Sequence, residues 1–154
     1  MTKKKNKESQ NSIIKVLETL IANEMTLFVK AKNYHWNVVG VHFKPLHELF
    51  DEIAGGTQDI IDETAERIRA LGAFVPAGLA LFASQTSLQE EQKTGLKAEK
   101  MVENILKDYE LIISSLKEGI EIADDLDDVA TEDMLTGFLR DHEKTAWMLR
   151  SHLQ

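Results

Sequence analysis

One spacing constrains this chain more than any other feature. Apolar residues recur at threes and fours through nearly its whole length, and the every-second-residue alternation of a half-buried strand is almost absent. Ile13, Val16, Leu17, Leu20, Leu27 and Ala31 trace one stripe, predicting a first helix from near Ser12, a suitable N-cap, to Val39, with Gly40 ending it. Pro45 suits a first helical turn, and Leu46, Leu49, Phe50, Ile53, Ile61 and Ile68 mark a second helix that stops near Gly72. Val102, Ile105, Tyr109, Ile112 and Leu116 mark a third; Met134, Leu135, Phe138, His142 and Leu149 mark a fourth.

The links differ in length, and that difference sets the topology. The short GVHFK between the first two helices makes them antiparallel neighbours. Residues 73–94 carry Pro76, Gly78 and a polar run, with LALFA as a short helix, and form a crossover long enough to join parallel helices. The expectation is an all-α, ferritin-like four-helix bundle with a long middle crossover containing a short helix. It occupies residues 12–154 as one domain, preceded by a flexible basic tail over residues 1–11.

With 0 Cys there is no thiolate, so a metal here must use His, Asp or Glu. No apolar signal core follows the basic start and no apolar run would span a bilayer, so the expectation is a cytoplasmic chain with no membrane partner. The formal charge is −8; Lys3, Lys4, Lys5 and Lys7 against Glu8 give the first eight residues +3 and leave −11 for the rest.

KNYHWNVVG, residues 32–40, puts His35 in the last turns of the first helix, and His47 falls in the first turn of the second, so the tight turn keeps both rings at one end of the bundle. His47 and Asp51 are spaced i,i+4, as are Asp62 and Glu66, and each pair presents its side chains along one face. All four positions fall within roughly a 100° arc, yet Asp51 and Asp62 are about 16 Å apart along the axis. One metal ion cannot touch both pairs within one chain. A second copy of the helix, antiparallel across a twofold axis, would bring His47 and Asp51 of one chain opposite Asp62 and Glu66 of the other. The midpoint falls at Gly56 or Thr57, and the pair Gly55-Gly56, disfavoured mid-helix by about 1 kcal/mol per glycine, fits close approach at a dyad. Imidazoles and carboxylates without thiolate suit Fe(II), with Mn(II) and Zn(II) as competitors.

KNYHWNVVGVHFKPLHELFDE followed by DIIDETAERI resembles the Dps-like mini-ferritins, the DNA-protection proteins of starved cells. The resemblance implies a hollow dodecameric homo-oligomer that acts as a ferroxidase. Such a shell oxidises iron from Fe(II) to Fe(III), by preference with hydrogen peroxide, and stores ferric mineral as protection against oxidative stress. It implies metal ligands His35, His47 and Asp51 from one chain and Asp62 and Glu66 from its partner. Trp36, next to His35, is a candidate either to accept stray oxidising equivalents or to fill the subunit interface. Val41 stands where the family often has proline, at no cost in ligands.

In EIADDLDDVATED, residues 121–133, acids crowd a helix junction. Similarity to the family's iron-entry pores makes Asp124, Asp128 and Asp133 the candidates for a negative funnel at a threefold axis. The lysines of the tail offer an alternative function, a nucleoid-associated protective shell that holds DNA phosphates without reading sequence.

Overall fold

The computed structural model describes the backbone of residues 2–154 and the side chains from Gln10 onward. Five helices follow one another: α1 (Thr2–Asn37), α2 (Phe43–Ala70), α3 (Leu79–Gln85), α4 (Ala98–Asp125) and α5 (Val129–Ser151). The described residues contain no strand, so the all-α reading holds, with four long helices and a short one, α3, in the crossover between α2 and α4. α1 packs chiefly on α2 and α4 on α5, while α1 also meets α4 and the crossover helix α3. No described helix is long and apolar enough to cross a membrane.

The helix ends follow from local chemistry. Gly72 (φ 88°) takes the left-handed conformation just past the end of α2, and Gly40 (φ 111°) takes it in the turn that follows α1, each with little steric cost. Pro45 lies in the first turn of α2, where its missing N–H goes unmissed. Both ends of α1 differ from expectation: it stops at Asn37, two residues short of Val39, and it is helical from Thr2, so Ser12 lies inside the helix and not at its cap. The segment TKKKNKESQ contains neither proline nor glycine and has several good helix formers, so nothing local ends the helix before its N-terminus. Gln10 Nε2 donates to the Leu71 carbonyl at 2.5 Å, tying this early part of α1 to the end of α2. The side chains of Lys3, Lys4, Lys5 and Lys7 lie outside the described residues.

The core runs the length of the bundle, with Leu17, Leu27, Phe50, Ile105, Leu135 and Leu149 fully buried. Two polar pairs interrupt it. Lys30 Nζ donates to Asp108 Oδ2 at 2.5 Å beneath the crossover, and burial pushes the Asp108 carboxyl up against the opposing pull of Lys30. Glu24 of α1 and His142 of α5 meet at 2.8 Å in the middle of the bundle, both shielded from solvent. Both pairs sit on the apolar stripes of their helices. A polar residue in an otherwise apolar three-and-four series was the available sign of them; its partner, far away in sequence, was not readable.

Candidate metal centre

The crossover fixes the end of α1 that carries the first histidine. Tyr34 is buried against Phe50, its hydroxyl donates to Glu91 Oε2 at 3.2 Å and accepts from Asn104 Nδ2 at 2.9 Å, and Asn33 Nδ2 donates to the Glu91 carbonyl at 3.0 Å. His35 follows directly on this clamp.

Across the turn of residues 38–42, the His35 and His47 rings stack at 3.8 Å between centroids with 20° between planes. His35 Nδ1 lies 2.7 Å from the His47 carbonyl oxygen, and His47 Nδ1 lies 2.7 Å from the His35 carbonyl oxygen. A carbonyl only accepts, so each Nδ1 must carry the proton, and in the neutral ring the lone pair is then on Nε2. Metal-ligating histidines are oriented in this way, the outer nitrogen held by a backbone oxygen and the other aimed at the ion. Phe43 stacks on the far side of His47 at 5.0 Å, closing a three-ring pile that fixes the imidazole planes.

Asp51 lies one turn beyond His47 on α2 and is exposed. Lys32, one turn before His35 on α1, makes an ion pair with its Oδ1. The Lys32 hydrogen bond holds the Asp51 carboxyl below the usual carboxylate range. The sequence offered no sign of this lysine, because a long charged side chain on a half-exposed face reads as solvated.

Asp62 and Glu66 are exposed farther along α2, and neither is in an ion pair among the described residues. Within one chain, therefore, the fold brings together His35, His47 and Asp51 at the α1–α2 end and leaves Asp62 and Glu66 apart from them. Among the described residues no group of three or more His, Asp or Glu gathers tightly enough to hold a metal ion. α2 runs unbroken through Gly55 and Gly56, and a Cβ added at either would meet nothing within 4 Å. Their absence of side chains is not required by packing inside the chain. Trp36 (71 % exposed) and Val41 (94 % exposed) leave apolar surface uncovered beside the histidines. His42 occupies the N-cap position of α2, but its side chain makes no capping bond.

The acidic junction is divided. Asp128 caps α5: Thr131 N donates to its Oδ1 at 3.2 Å and Thr131 Oγ1 to its Oδ2 at 2.6 Å, while Arg67 of α2 bonds Oδ1 at 2.6 Å. Burial opposes ionisation there, but Thr131 and Arg67 outweigh it and hold the carboxyl low. Asp124 and Asp133 are exposed, and Asp127 makes the tight α4–α5 turn at φ 54°.

A ferritin-like domain model matches residues 14–154. The DNA protection during starvation protein 2 of Bacillus anthracis is 44% identical over 141 residues, covering 92% of this chain and 96% of that protein. The chain belongs to the Dps branch of the ferritin-like family. In structure it is similar to Dps from Staphylococcus aureus, with a TM-score of 0.91, 35% identity, and coverage of 94% of this chain and 97% of that one. It is also similar to a Dps protein from Vibrio cholerae O1 described as a member of a broad superfamily of ferritin-like diiron-carboxylate proteins. There the TM-score is 0.91 at 25% identity, over 96% of this chain and 92% of that one.

Proposed function

We propose that this Dps-family chain is a ferroxidase and iron store. Two copies pair across a twofold axis, His35, His47 and Asp51 of one facing Asp62 and Glu66 of the other, within a hollow dodecameric shell. The observation that carries this reading is the reciprocal bonding of the two histidines, which uses each Nδ1 proton on a carbonyl and leaves both Nε2 lone pairs available to a ligand. The exposed carboxylates and the open face at Gly55 and Gly56 support a second chain as the source of the remaining ligands.

Iron is the substrate. Imidazole nitrogens bind Fe(II), while carboxylates neutralise the added charge of Fe(III) and so favour oxidation. Hydrogen peroxide takes one electron from each of two Fe(II) ions and leaves as two hydroxide ions, so no hydroxyl radical is released. Trp36, exposed beside His35, is placed to accept a stray oxidising equivalent. Asp124 and Asp133 join the acids that draw Fe(II) towards a threefold opening, and Asp128, tied on both oxygens, shapes that turn. The test is anaerobic loading with Fe(II) followed by peroxide. Rapid oxidation to soluble mineral is expected in the parent protein and its loss in His35→Ala and Asp62→Ala; parent kinetics in both variants would overturn the reading.

A second reading is favoured by Lys3, Lys4, Lys5 and Lys7 and by relatives named for DNA protection. Basic arms repeated around a shell would hold DNA by avidity. A salt-sensitive mobility shift that disappears without residues 1–10 supports it, and a shift that persists without them rejects the arm as its cause.

A further inference from the structure

A third histidine is oriented by a backbone oxygen, and it lies in the bundle interior of a single chain. His142 Nδ1 is 2.8 Å from the Phe138 carbonyl oxygen, so that nitrogen carries a proton and Nε2 is turned towards α1, where it meets Glu24 Oε1 at 2.8 Å. Two donors that each lie about 2.0–2.2 Å from a Zn(II) ion stand about 2.8–3.4 Å apart, so the spacing of this nitrogen and oxygen already suits a shared ion. The remaining carboxylate oxygen, Glu24 Oε2, is buried and meets no donor among the described residues. A buried acceptor in that position bears its desolvation cost with nothing from the protein to offset it.

Glu24 and His142 are also the buried end of a route from solvent. Both line a cavity of about 300 Å³ between α2 and α5. At about 30 Å³ per water molecule, it has room for an ion and several waters. Its outer lining carries four exposed carboxylates, Glu52, Asp59 and Glu63 of α2 and Asp141 of α5, and includes no lysine or arginine. Such a mouth concentrates cations and repels anions.

We infer that Glu24 and His142 form a divalent-cation site inside one subunit, Glu24 binding through both oxygens and His142 through Nε2, with water in the cavity completing the coordination shell. Two side chains then supply three donor atoms, which is how a pair of residues serves where no three acids or histidines gather. The single proton between Nε2 and Oε1 leaves to solvent as the ion binds, so His142 coordinates as a neutral imidazole and each bound ion frees one proton. One nitrogen and carboxylate oxygens without sulfur suit Zn(II), Mn(II) or Fe(II). No residue comes from a second chain, so this site is independent of the ligand sharing at His35 and His47.

The experiment titrates Zn(II), which undergoes no redox chemistry, calorimetrically into the assembled full-length protein near neutral pH, in two buffers of different protonation enthalpy. The comparison is with Glu24→Leu/His142→Phe, which replaces the pair by apolar groups and keeps the interior filled. The parent should bind one more Zn(II) per subunit than the double variant and release one more proton per subunit, and His35→Ala should leave that difference intact. Equal Zn(II) stoichiometry in parent and double variant overturns the site. In crystals of the parent soaked with Zn(II), the anomalous peak should lie within bonding distance of His142 Nε2 and the Glu24 carboxylate. A cavity whose peaks are confined to the rim carboxylates, or which shows none, overturns it as well, whether or not the double variant folds.

Discussion

His35 and His47 hold one another through the backbone: each Nδ1 is 2.7 Å from the other residue's carbonyl oxygen, and the rings between these two bonds stack at 3.8 Å. The arrangement is reciprocal, so neither ring is oriented independently. Removing either one frees a carbonyl and unstacks the ring that remains.

The two histidines should therefore behave as one unit. His35→Ala and His47→Ala should each cut Zn(II) affinity and peroxide-driven iron oxidation by at least roughly tenfold, the scale of losing an orienting partner as well as a ligand. The double variant should be little worse than either single one. Additive losses in a double-mutant cycle would show that the rings act separately.

Glu24 and His142 form the polar lock of the bundle interior. His142 Nδ1 faces the Phe138 carbonyl at 2.8 Å and must carry a proton, so the Nε2 contact with Glu24 Oε1 shares one further proton between ring and carboxylate. Burial lowers the affinity of His142 for a proton, but the hydrogen bond and charge of Glu24 overcome this and raise it above the ordinary histidine value. A raised value in the folded state means stability fully present below the unfolded histidine pKa and lost as pH rises through the folded one. Glu24→Ala should cost about 3–5 kcal/mol by leaving a buried ring unpaired, whereas Glu24→Leu with His142→Phe should recover most of it. Denaturant titrations from neutral to alkaline pH check both statements, and the alkaline slope should vanish in the double variant.

Asp128 has the opposite sign. Its carboxyl is held low by Thr131 and Arg67 against the effect of burial, so it stabilises the fold above the unfolded aspartate pKa, and that contribution is lost as pH falls through the folded value. Asp128→Ala removes the α5 cap and leaves Arg67 without its carboxylate. A loss of about 1–2 kcal/mol near neutral pH is expected, shrinking in acid. Denaturation midpoints for parent and variant measured down to pH 3 should converge at the acid end.

Much of this was legible in the sequence, for identifiable reasons. The stripe from Leu17 to Ala31, the glycines at 40 and 72 and the proline at 45 are local signals, and they placed α1, α2 and their antiparallel turn. His35 and His47 were legible as neighbours because a short link forces them together. The Glu24–His142 and Lys30–Asp108 pairs join helices far apart in sequence, and each helix recorded only that a polar residue stood on its apolar stripe. The start of α1 was misplaced because apolar periodicity stops at Ile13 while helix-permissive polar residues continue to Thr2. The Lys32–Asp51 pair is not legible in the sequence because it depends on where a flexible side chain settles once α1 and α2 are paired.

The division of the site between two chains gives the most demanding test. A His35→Ala subunit lacks a ligand of the first half-site and an Asp62→Ala subunit lacks one of the second, so each alone should form shells without efficient peroxide-driven iron oxidation. In a mixed pair, one site carries both substitutions and the other carries neither, because the first subunit still supplies Asp62 and Glu66 and the second still supplies His35, His47 and Asp51. Random pairing across a twofold axis therefore restores about a quarter of all sites to the parent ligand set. Co-assembling the two variants should recover about that fraction of parent activity, whereas mixing shells assembled separately should recover none. A site contained within one chain has no such route to recovery, since every subunit in the mixture carries a lesion. An inactive co-assembled shell, with mixed subunits verified by mass spectrometry, would overturn the sharing of ligands across the open glycine face of α2.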